Sequence, residues 1–191
     1  MKFKPESYDF VFSLVDGNNN IEKINNATDW ANIWLKFKSM CGEKGSIVFD
    51  IDDTLVDSKE KIIPSMVKLY KTCQKFGFIT NIVTARPESK HNRAFTENML
   101  KKRGIDGYEA LYMMPSNITP TFNSISEYKH SARTHISKRH KILANFGDMW
   151  TDHLKFPSNT DLNSRSVEEC AILFPPNCNY ACIKLPGAIE E

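Results

Sequence analysis

A short apolar segment that ends in a cluster of carboxylates constrains this chain more than any other feature. Residues 47–55 read IVFDIDDTL, so that Asp50, Asp52 and Asp53 follow an apolar run bounded by polar residues. Such a run predicts a buried strand, and ligands of open α/β sheets bind at the edge where strands end. Three like charges this close repel one another, and a divalent cation that prefers oxygen ligands would relieve the repulsion. The alternative is that these aspartates cap a helix or form a turn.

Strand-like and helix-like segments alternate along the rest of the chain. Further strands are predicted at 78–83, 110–114, 142–146 and 171–174, and helices from Thr28 or Asp29, from Pro64, before Gly104 and around 126–140. Near-continuous apolar strands that alternate with helices predict a mostly parallel sheet with both faces covered. We therefore expect an α/β fold, a three-layer α/β/α sandwich of the Rossmann-like type.

Apolar residues at helical spacing predict which side of each helix faces the core. The predicted inward residues are Trp30, Ile33, Trp34, Phe37 and Met40 in the first helix and Phe95, Met99 and Leu100 in the third. An aromatic stripe like that of the first helix is usually core. It is therefore expected to pack on the sheet and is given no functional role.

Length and composition predict a single domain over residues 1–191, with an N-terminal extension at 1–26 for which no structure is predicted. A net charge of +2 without a dense basic stripe gives no nucleic-acid signature. We see no transmembrane segment and no signal peptide. Five cysteines without a CxxC pair favour free thiols in a reducing compartment over disulfides, so a cytoplasmic location is expected. The histidines lack HxxH spacing, which argues against a zinc site.

Three polar residues follow three different predicted strands. Asp50, Thr84 and Asp148 each lie just past a C-terminal strand end, and parallel strands bring these ends to one rim of the sheet. Two carboxylates and a hydroxyl would converge there, as a site for Mg²⁺ and phosphate requires. Mg²⁺ keeps several waters among its oxygen ligands. Asp50 and Asp148, with the backbone carbonyl of Asp52 and a substrate phosphate, would therefore suffice.

The same residues suit phosphoryl transfer. Asp50 is ionised at neutral pH, since the reference pKa of a carboxyl is about 4, and it can attack phosphorus to give an aspartyl-phosphate. Asp52 could donate a proton to the leaving alkoxide if its pKa is raised, and later take one from the attacking water. Thr84 can donate its hydroxyl hydrogen to a phosphoryl oxygen, and a lysine is still required to offset charge. Asp53 is expected to hydrogen-bond within its loop rather than bind metal.

These motifs resemble those of the haloacid-dehalogenase-like (HAD) phosphohydrolases. The D-x-D-x-T-L string at 50–55 resembles their first motif, the TARP segment at 84–87 their second, and FGDMWTD at 146–152 their fourth, G-D-x-x-x-D. Trp150, YKHSAR at 128–133 and the IKLP ending at 183–186 look most like the subfamily IIIB, class B acid phosphatase branch, which includes vegetative storage proteins. The resemblance runs from about Trp30 to Gly187 and implies a HAD-type sheet and a Mg²⁺-dependent phosphomonoesterase.

The resemblance also assigns the remaining site residues. It implies that Lys129, which is expected to open the predicted helix near the rim, is the catalytic and substrate-binding lysine. Lys138 is the alternative, but it is expected to lie at the solvated end of that helix. Asp152 is expected to join the metal site through a metal-bound water or to orient Lys129, unless it is an acid at a helix N-terminus. Arg86 is expected to bind substrate phosphate, unless it forms a surface ion pair.

The intervals between the motifs leave no room for a large cap domain. Only 30 positions separate Thr54 from Thr84 and 45 separate Thr84 from Lys129, and predicted helices and strands fill both intervals. The site should be open unless a partner subunit, the N-terminal segment or residues 115–125 cover it. An open site suits a nucleotide, a sugar phosphate or a phosphoprotein, and the chain could form a homo-oligomer.

Two other functions fit part of this pattern. A catalytically silent storage or binding protein could use the same scaffold, but such a relative is expected to lack the nucleophile, and Asp50 is present. A receiver-like signalling domain also places acids, a threonine and a lysine around Mg²⁺. The adjacent Asp50 and Asp52 and the G-D-x-x-x-D element favour hydrolysis over signalling.

Overall fold

Seven strands form one sheet in the part of the chain that the computed structural model describes, residues 11–153, 169–174 and 180–187. The elements in chain order are β1 (Val11–Leu14), α1 (Asn20–Met40), β2 (Ser46–Phe49), α2 (Pro64–Lys75), β3 (Ile79–Glu88), α3 (Lys90–Lys102), β4 (Ala110–Pro115), α4 (Phe122–Ser137), β5 (Ile142–Gly147), a short 3₁₀ turn (Trp150–Asp152), β6 (Ala171–Phe174) and β7 (Ala181–Lys184). Across the sheet the strands lie in the order β1-β6-β7-β5-β2-β3-β4.

Strand directions confirm the predicted mostly parallel α/β sheet. β2 pairs in parallel with β3 and β5, β3 with β4, and β5 with β7. β6 runs opposite to its neighbours β1 and β7. All five predicted strands are present, whereas β1 and β7 were not predicted. β1 is interrupted by Ser13, and β7 contains Ala181 and Lys184, which are depleted in strands, so neither segment has a strong strand signal.

Helices cover both faces of the sheet and complete the predicted three-layer α/β/α sandwich. Successive side chains of a strand point to opposite faces, so Ile47 and Phe49 of β2 enter one core and Val48 enters another. The core around Ile47 and Phe49 also contains buried residues of α1, α2 and α3. The core around Val48 contains Ala132 and Ile136 of α4. α4 therefore packs on the face of the sheet opposite to α1, α2 and α3, and it reaches the carboxyl edge of the strands from that face.

The first helix differs from its prediction in both start and orientation. It begins at Asn20 rather than near Thr28, because the Asn19 side chain accepts a hydrogen bond from the backbone of Glu22 and caps the helix. The predicted inward face is wrong, since three of its residues are exposed and its two tryptophans are only partly buried. The face that packs inward instead carries Ile24, Ala27, Thr28, Ala31 and Leu35. Both faces are apolar, and the small alanines allow the closer approach to the core.

Three smaller predictions are corrected. β3 continues to Glu88 rather than ending at Val83, with a register irregularity between Thr84 and Pro87. α4 begins at Phe122, where Thr121 caps it, so Lys129 lies in the second turn instead of opening the helix. Phe95 is exposed on α3, while the predicted inward residues Met99 and Leu100 are buried.

Four cysteines lie in the described residues, and none of these four forms a disulfide; Cys41 is exposed, and Cys73, Cys170 and Cys182 are buried. Cys178 and residues 1–10 of the N-terminal extension lie outside the described residues. That residues 1–191 form a single domain stays a prediction. Among the described residues, no helix combines the length and the apolar character that a membrane crossing requires.

Candidate active site

Three polar residues predicted to meet lie at one edge of the sheet. Asp50 directly follows β2, and its backbone N–H donates to the carbonyl of Phe146 in β5 at 2.9 Å. Thr84 lies in β3 next to β2 and is fully buried. Asp148 directly follows β5 and is also buried. Parallel pairing of β2 with β3 and β5 therefore brings the three side chains to the same rim.

A cluster of three buried carboxylates forms the floor of this site. One oxygen of Asp50, one of Asp148 and one of Asp152 all lie within 4.8 Å of one another. Asp152 reaches the cluster because β5 ends in a glycine. A side chain at Gly147 would overlap the Asp152 carboxylate. The glycine of the G-D-x-x-x-D segment is thus needed for space rather than for an unusual backbone conformation.

Lys129 of α4 lies between two of these carboxylates. Its Nζ is 3.1 Å from Oδ2 of Asp50 and forms a short hydrogen bond and ion pair with Oδ1 of Asp152. The other oxygen of Asp152, Oδ2, accepts from the backbone N–H of Met149 at 2.9 Å. Asp152 is therefore held at both oxygens and fixes the position of the lysine. Lys138, the alternative lysine, is the exposed C-cap of α4.

Two buried side chains that were not predicted from the sequence hold the backbone carbonyl of Asp152. Arg133 donates from Nη1 to the backbone carbonyl of Asp152, and Asn145 donates from Nδ2 to the same oxygen. Arg133 lies one helical turn after Lys129, which places both on one face of α4. In the sequence, the four-residue spacing of Lys129 and Arg133 and the polar Asn145 inside an otherwise apolar strand could have indicated that these two residues belong to the site.

His153 follows the 3₁₀ turn and adds a further contact to the same backbone. Its ring nitrogens lie 3.3 Å from Nδ2 of Asn145 and 3.2 Å from the carbonyl oxygen of Gly147. Burial lowers the pKa of His153 to about 4, which keeps the ring neutral at ordinary pH.

Burial sets the electrostatics of the carboxylates. It raises the pKa of Asp50 to about 7 against the attraction of Lys129, and it raises the pKa of Asp148 to about 8, with the charges of Asp152 and Asp50 adding to the effect. Burial alone would lower the pKa of Lys129, but the nearby Asp152 and Asp50 outweigh it and the pKa is raised. Three acids beside one ammonium leave negative charge that favours either protons or another cation.

The donor set fits a divalent metal ion. All its atoms are hard carboxylate oxygens, the ligand type that Mg²⁺ and Ca²⁺ prefer. Oδ1 of Asp50 is buried and has no hydrogen-bond partner among the described residues. A buried carboxylate oxygen without a partner is costly, and a cation shared by Asp50, Asp148 and Asp152 would satisfy it. The proposed backbone ligand, the carbonyl of Asp52, stays a prediction.

Asp52 and Arg86 pair with each other at the mouth of the site. The guanidinium of Arg86 donates to both oxygens of the Asp52 carboxylate, which is about half exposed. The backbone N–H of Arg86 donates to Oγ1 of Thr84 at 3.2 Å. Arg86 thus forms an ion pair, as the alternative reading allowed, but the partner is itself a candidate site residue.

A family model described as "HAD superfamily, subfamily IIIB (Acid phosphatase)" matches residues 57–186. The chain belongs to this family. It is therefore a HAD-type acid phosphatase, a phosphoric monoester hydrolase that acts on phosphorylated substrates. No curated protein matches the chain in sequence.

The matched range includes most of the candidate site residues but not all of them. Thr84, Lys129, Asp148 and Asp152 fall inside residues 57–186, whereas Asp50 and Asp52 precede them. The strand-end position of Asp50 and its contact with Lys129 therefore connect the first motif to the matched region.

Proposed function

We propose that this HAD phosphatase hydrolyses phosphomonoesters in a Mg²⁺-dependent reaction, with Asp50 as the nucleophile. The observation that carries the proposal is the state of the two Asp50 oxygens. Lys129 lies 3.1 Å from Oδ2, whereas Oδ1 is buried and makes no hydrogen bond to the described residues. Lys129 thus holds Oδ2, and the carboxylate can still bind a cation and attack a phosphorus atom.

Asp50, Asp148 and Asp152 would hold the magnesium ion. Mg²⁺ is usually bound by a few carboxylates and by substrate phosphate, and it keeps several waters. When bound, it supplies positive charge that stabilises the phosphoryl oxygens and favours the ionised form of Asp50.

In the proposed reaction a carboxylate oxygen of Asp50 attacks phosphorus while the bond between phosphorus and the ester oxygen breaks. Once Arg86 has turned to the substrate phosphate, Asp52 takes up a proton from solvent and gives it to the leaving alkoxide, which departs as the alcohol. The ionised Asp52 then takes a proton from water, and the oxygen of that water attacks the aspartyl-phosphate. Inorganic phosphate leaves and Asp50 is restored.

Three further side chains would bind the transferring phosphoryl group. The Lys129 ammonium lies beside the nucleophile and would offset charge on the phosphoryl oxygens. Thr84 would donate its hydroxyl hydrogen to one of those oxygens. Arg86 would bind the substrate phosphate with the guanidinium that contacts Asp52 in the free protein.

Substitution of the nucleophile tests the proposal directly. Asp50→Asn should abolish Mg²⁺-dependent hydrolysis of an aryl phosphate, because a neutral amide cannot form the phospho-enzyme. Asp106→Asn, which changes an exposed carboxylate on the connection before β4, is the matched control and should keep wild-type turnover. Wild-type turnover in Asp50→Asn would show that the mechanism is wrong. A wild-type protein that is inactive with every substrate tested would favour the catalytically silent alternative.

A further inference from the structure

The outer face of α1 carries large apolar side chains where a surface helix normally carries polar ones. Ile33, Phe37 and Met40 expose 73%, 61% and 77% of their surface. Trp30 and Trp34 stack on each other with their ring centroids 5.8 Å apart. Phe174 of β6 contacts both tryptophans edge-on, at 6.1 and 6.4 Å. We call the surface formed by these six residues the α1 outer face.

We infer that the α1 outer face is a dimer interface, on which α1 of a second copy of this chain packs in antiparallel orientation. This inference is independent of the proposed catalytic mechanism, because none of the six residues belongs to the candidate active site.

The area of the α1 outer face is suitable for a stable dimer. If a fully exposed large side chain contributes on the order of 200 Å², Ile33, Phe37 and Met40 together expose roughly 400 Å² of apolar surface. The partly exposed tryptophans and Phe174 bring the total to roughly 600 Å². This is at the upper limit of the largest apolar patch of a typical monomer, about 300–600 Å². Two such faces would together bury roughly 1,200 Å², the lower end of the range for specific interfaces.

The spacing of the apolar residues identifies a helix as the partner. Trp30, Ile33, Phe37 and Met40 follow one another at intervals of three, four and three residues. This is the a/d spacing with which one helix packs its side chains between those of another. The face opposite this seam is already buried against the core of the same chain, through Ala31 and Leu35 among others. The seam therefore faces outward, where a second helix can reach it.

The order of these intervals identifies the second helix as another copy of α1. The series reads the same in both directions about residue 35, so Trp30 of one copy would face Met40 of the other, and Ile33 would face Phe37. Such self-complementarity is what a two-fold symmetric interface requires. A parallel pair of α1 helices would not require a spacing that reads the same in both directions.

The charges along the same stretch favour the antiparallel arrangement. Asp29 lies at its N-terminal end, and Lys36 and Lys38 lie toward its C-terminal end. Lys38 also lies 5.2 Å from the ring centroid of Trp34. Lys38 is already paired with Glu43 of its own chain at 2.7 Å, so Lys36 is the cation that remains for the partner. In an antiparallel pair Asp29 of each copy lies toward the end of the partner helix that carries Lys36, and the antiparallel helix dipoles attract each other.

The first experiment measures the oligomeric state of the full chain by sedimentation equilibrium. The wild-type chain, of 21.9 kDa, should form a concentration-dependent dimer. Phe37→Glu should raise the dimer dissociation constant by at least about 30-fold, since it places a charge at the centre of the apolar surface. Phe95→Glu is the matched control: Phe95 is 52% exposed on α3, and its substitution should leave the dimer unchanged. Ile33→Glu is a second interface variant if Phe37→Glu does not fold, as judged by thermal unfolding.

The second experiment tests the orientation by oxidative cross-linking. A mixture of Ile33→Cys and Phe37→Cys chains should give disulfide-linked dimers in clear excess over either variant alone, because residues 33 and 37 face each other only in the antiparallel pair. Cys41 is exposed in every sample and sets the background. Equal yields in the mixture and in the separate variants would contradict the arrangement.

A wild-type chain that stays monomeric at roughly 100 μM, well above the micromolar range of weak interfaces, would overturn the proposal. So would a dimer that Phe37→Glu and Ile33→Glu leave intact. In the monomeric case residues 1–10, which precede β1 beside Phe174, would be the next candidate to cover the α1 outer face.

Discussion

Arg86 holds the carboxylate of Asp52 with two hydrogen bonds, Nε to Oδ2 at 3.0 Å and Nη2 to Oδ1 at 2.6 Å. A guanidinium that contacts both oxygens of a carboxylate forms a strong ion pair with a specific geometry. Asp52 is the proposed proton donor, and a carboxyl that carries a proton cannot make both bonds. A substrate phosphate that attracts Arg86 would therefore free Asp52 to take up a proton from solvent, which it can then give to the leaving alkoxide.

Substitution of Arg86 by lysine should test this coupling. Lysine keeps the charge but loses the planar pair of donors, so we expect kcat to fall by about 10- to 100-fold for esters with poor leaving groups, which need the proton from Asp52. The decrease should be smaller for aryl phosphates, whose leaving groups need less help. Steady-state kinetics over a series of leaving groups measures the difference.

Arg93→Lys is the control for this substitution. Arg93 contacts both carboxylate oxygens of Glu88 in the same manner, but neither residue belongs to the candidate site. The control should show no dependence on the leaving group. An equal loss for good and poor leaving groups in Arg86→Lys would argue that Arg86 binds substrate without positioning Asp52.

Removal of the ammonium at Lys129 should destabilise the fold in a pH-dependent manner. In Lys129→Met without divalent cations, we expect a loss of about 3–5 kcal/mol in the free energy of unfolding near pH 8, because buried acids lose their counter-charge. The loss should be smaller near pH 5, where protons on Asp50 and Asp148 replace the ammonium. Urea unfolding at both pH values measures it. Lys138→Met, at the exposed helix end, should stay within about 0.5 kcal/mol of wild type. An equal loss at both pH values would contradict the explanation.

Stability without divalent cations should fall as the pH rises. The folded-state pKa values of Asp50 and Asp148, about 7 and about 8, lie above the unfolded value of about 4. Above about pH 4 the unfolded chain has therefore released two protons that the folded chain keeps, and this lowers the free energy of unfolding with rising pH. His153, with its pKa lowered to about 4, acts in the opposite sense up to about pH 6.5. Together these three groups should give a net slope of about one proton between about pH 5 and pH 7. The slope should diminish toward pH 8, where Asp50 and Asp148 release their protons in the folded chain as well.

Thermal unfolding in chelator, with and without added Mg²⁺, measures this dependence. Mg²⁺ should stabilise the protein more near pH 8 than near pH 5, because at low pH it competes with the protons on the carboxylates. Asp148→Asn should reduce the slope by about one proton. A chelated wild-type protein whose stability rises between about pH 6.5 and 8 would contradict the pKa directions.

A methyl group at Gly147 should displace Asp152. The added carbon would overlap the Asp152 side chain, so Gly147→Ala should weaken Mg²⁺ binding and lower activity by at least about 10-fold. Gly77→Ala is the control, since Gly77 has a positive φ of 79° but open space around it. It should cost about 1 kcal/mol of stability through backbone strain with normal activity. Titration of Mg²⁺ by thermal shift separates the two variants, and equal Mg²⁺ affinities would contradict the steric explanation.

The location of the site could be predicted from the sequence because parallel pairing of the strands was the one long-range feature that had to be assumed. Asp50, Thr84 and Asp148 each follow a strand-like run, and parallel pairing brings strand ends to one edge. The motifs indicated the family that the comparison confirmed, and the YKHSAR segment at 128–133 favoured Lys129 over Lys138. The orientation of α1 could not be predicted in this manner. Its two faces are both apolar, and periodicity alone does not say which of them packs inward.

By itself, the sequence determined the alternation of strands and helices and the residues that arrive at the catalytic edge, because period and composition are local properties. Only the tertiary structure decided which charges touch. The pairing of Arg86 with Asp52, the position of Lys129 between Asp50 and Asp152, and the support from Arg133 and Asn145 join residues that are distant in the chain or hidden in apolar segments. Side-chain packing fixes those contacts to fractions of an ångström, and no local pattern specifies distances of that size.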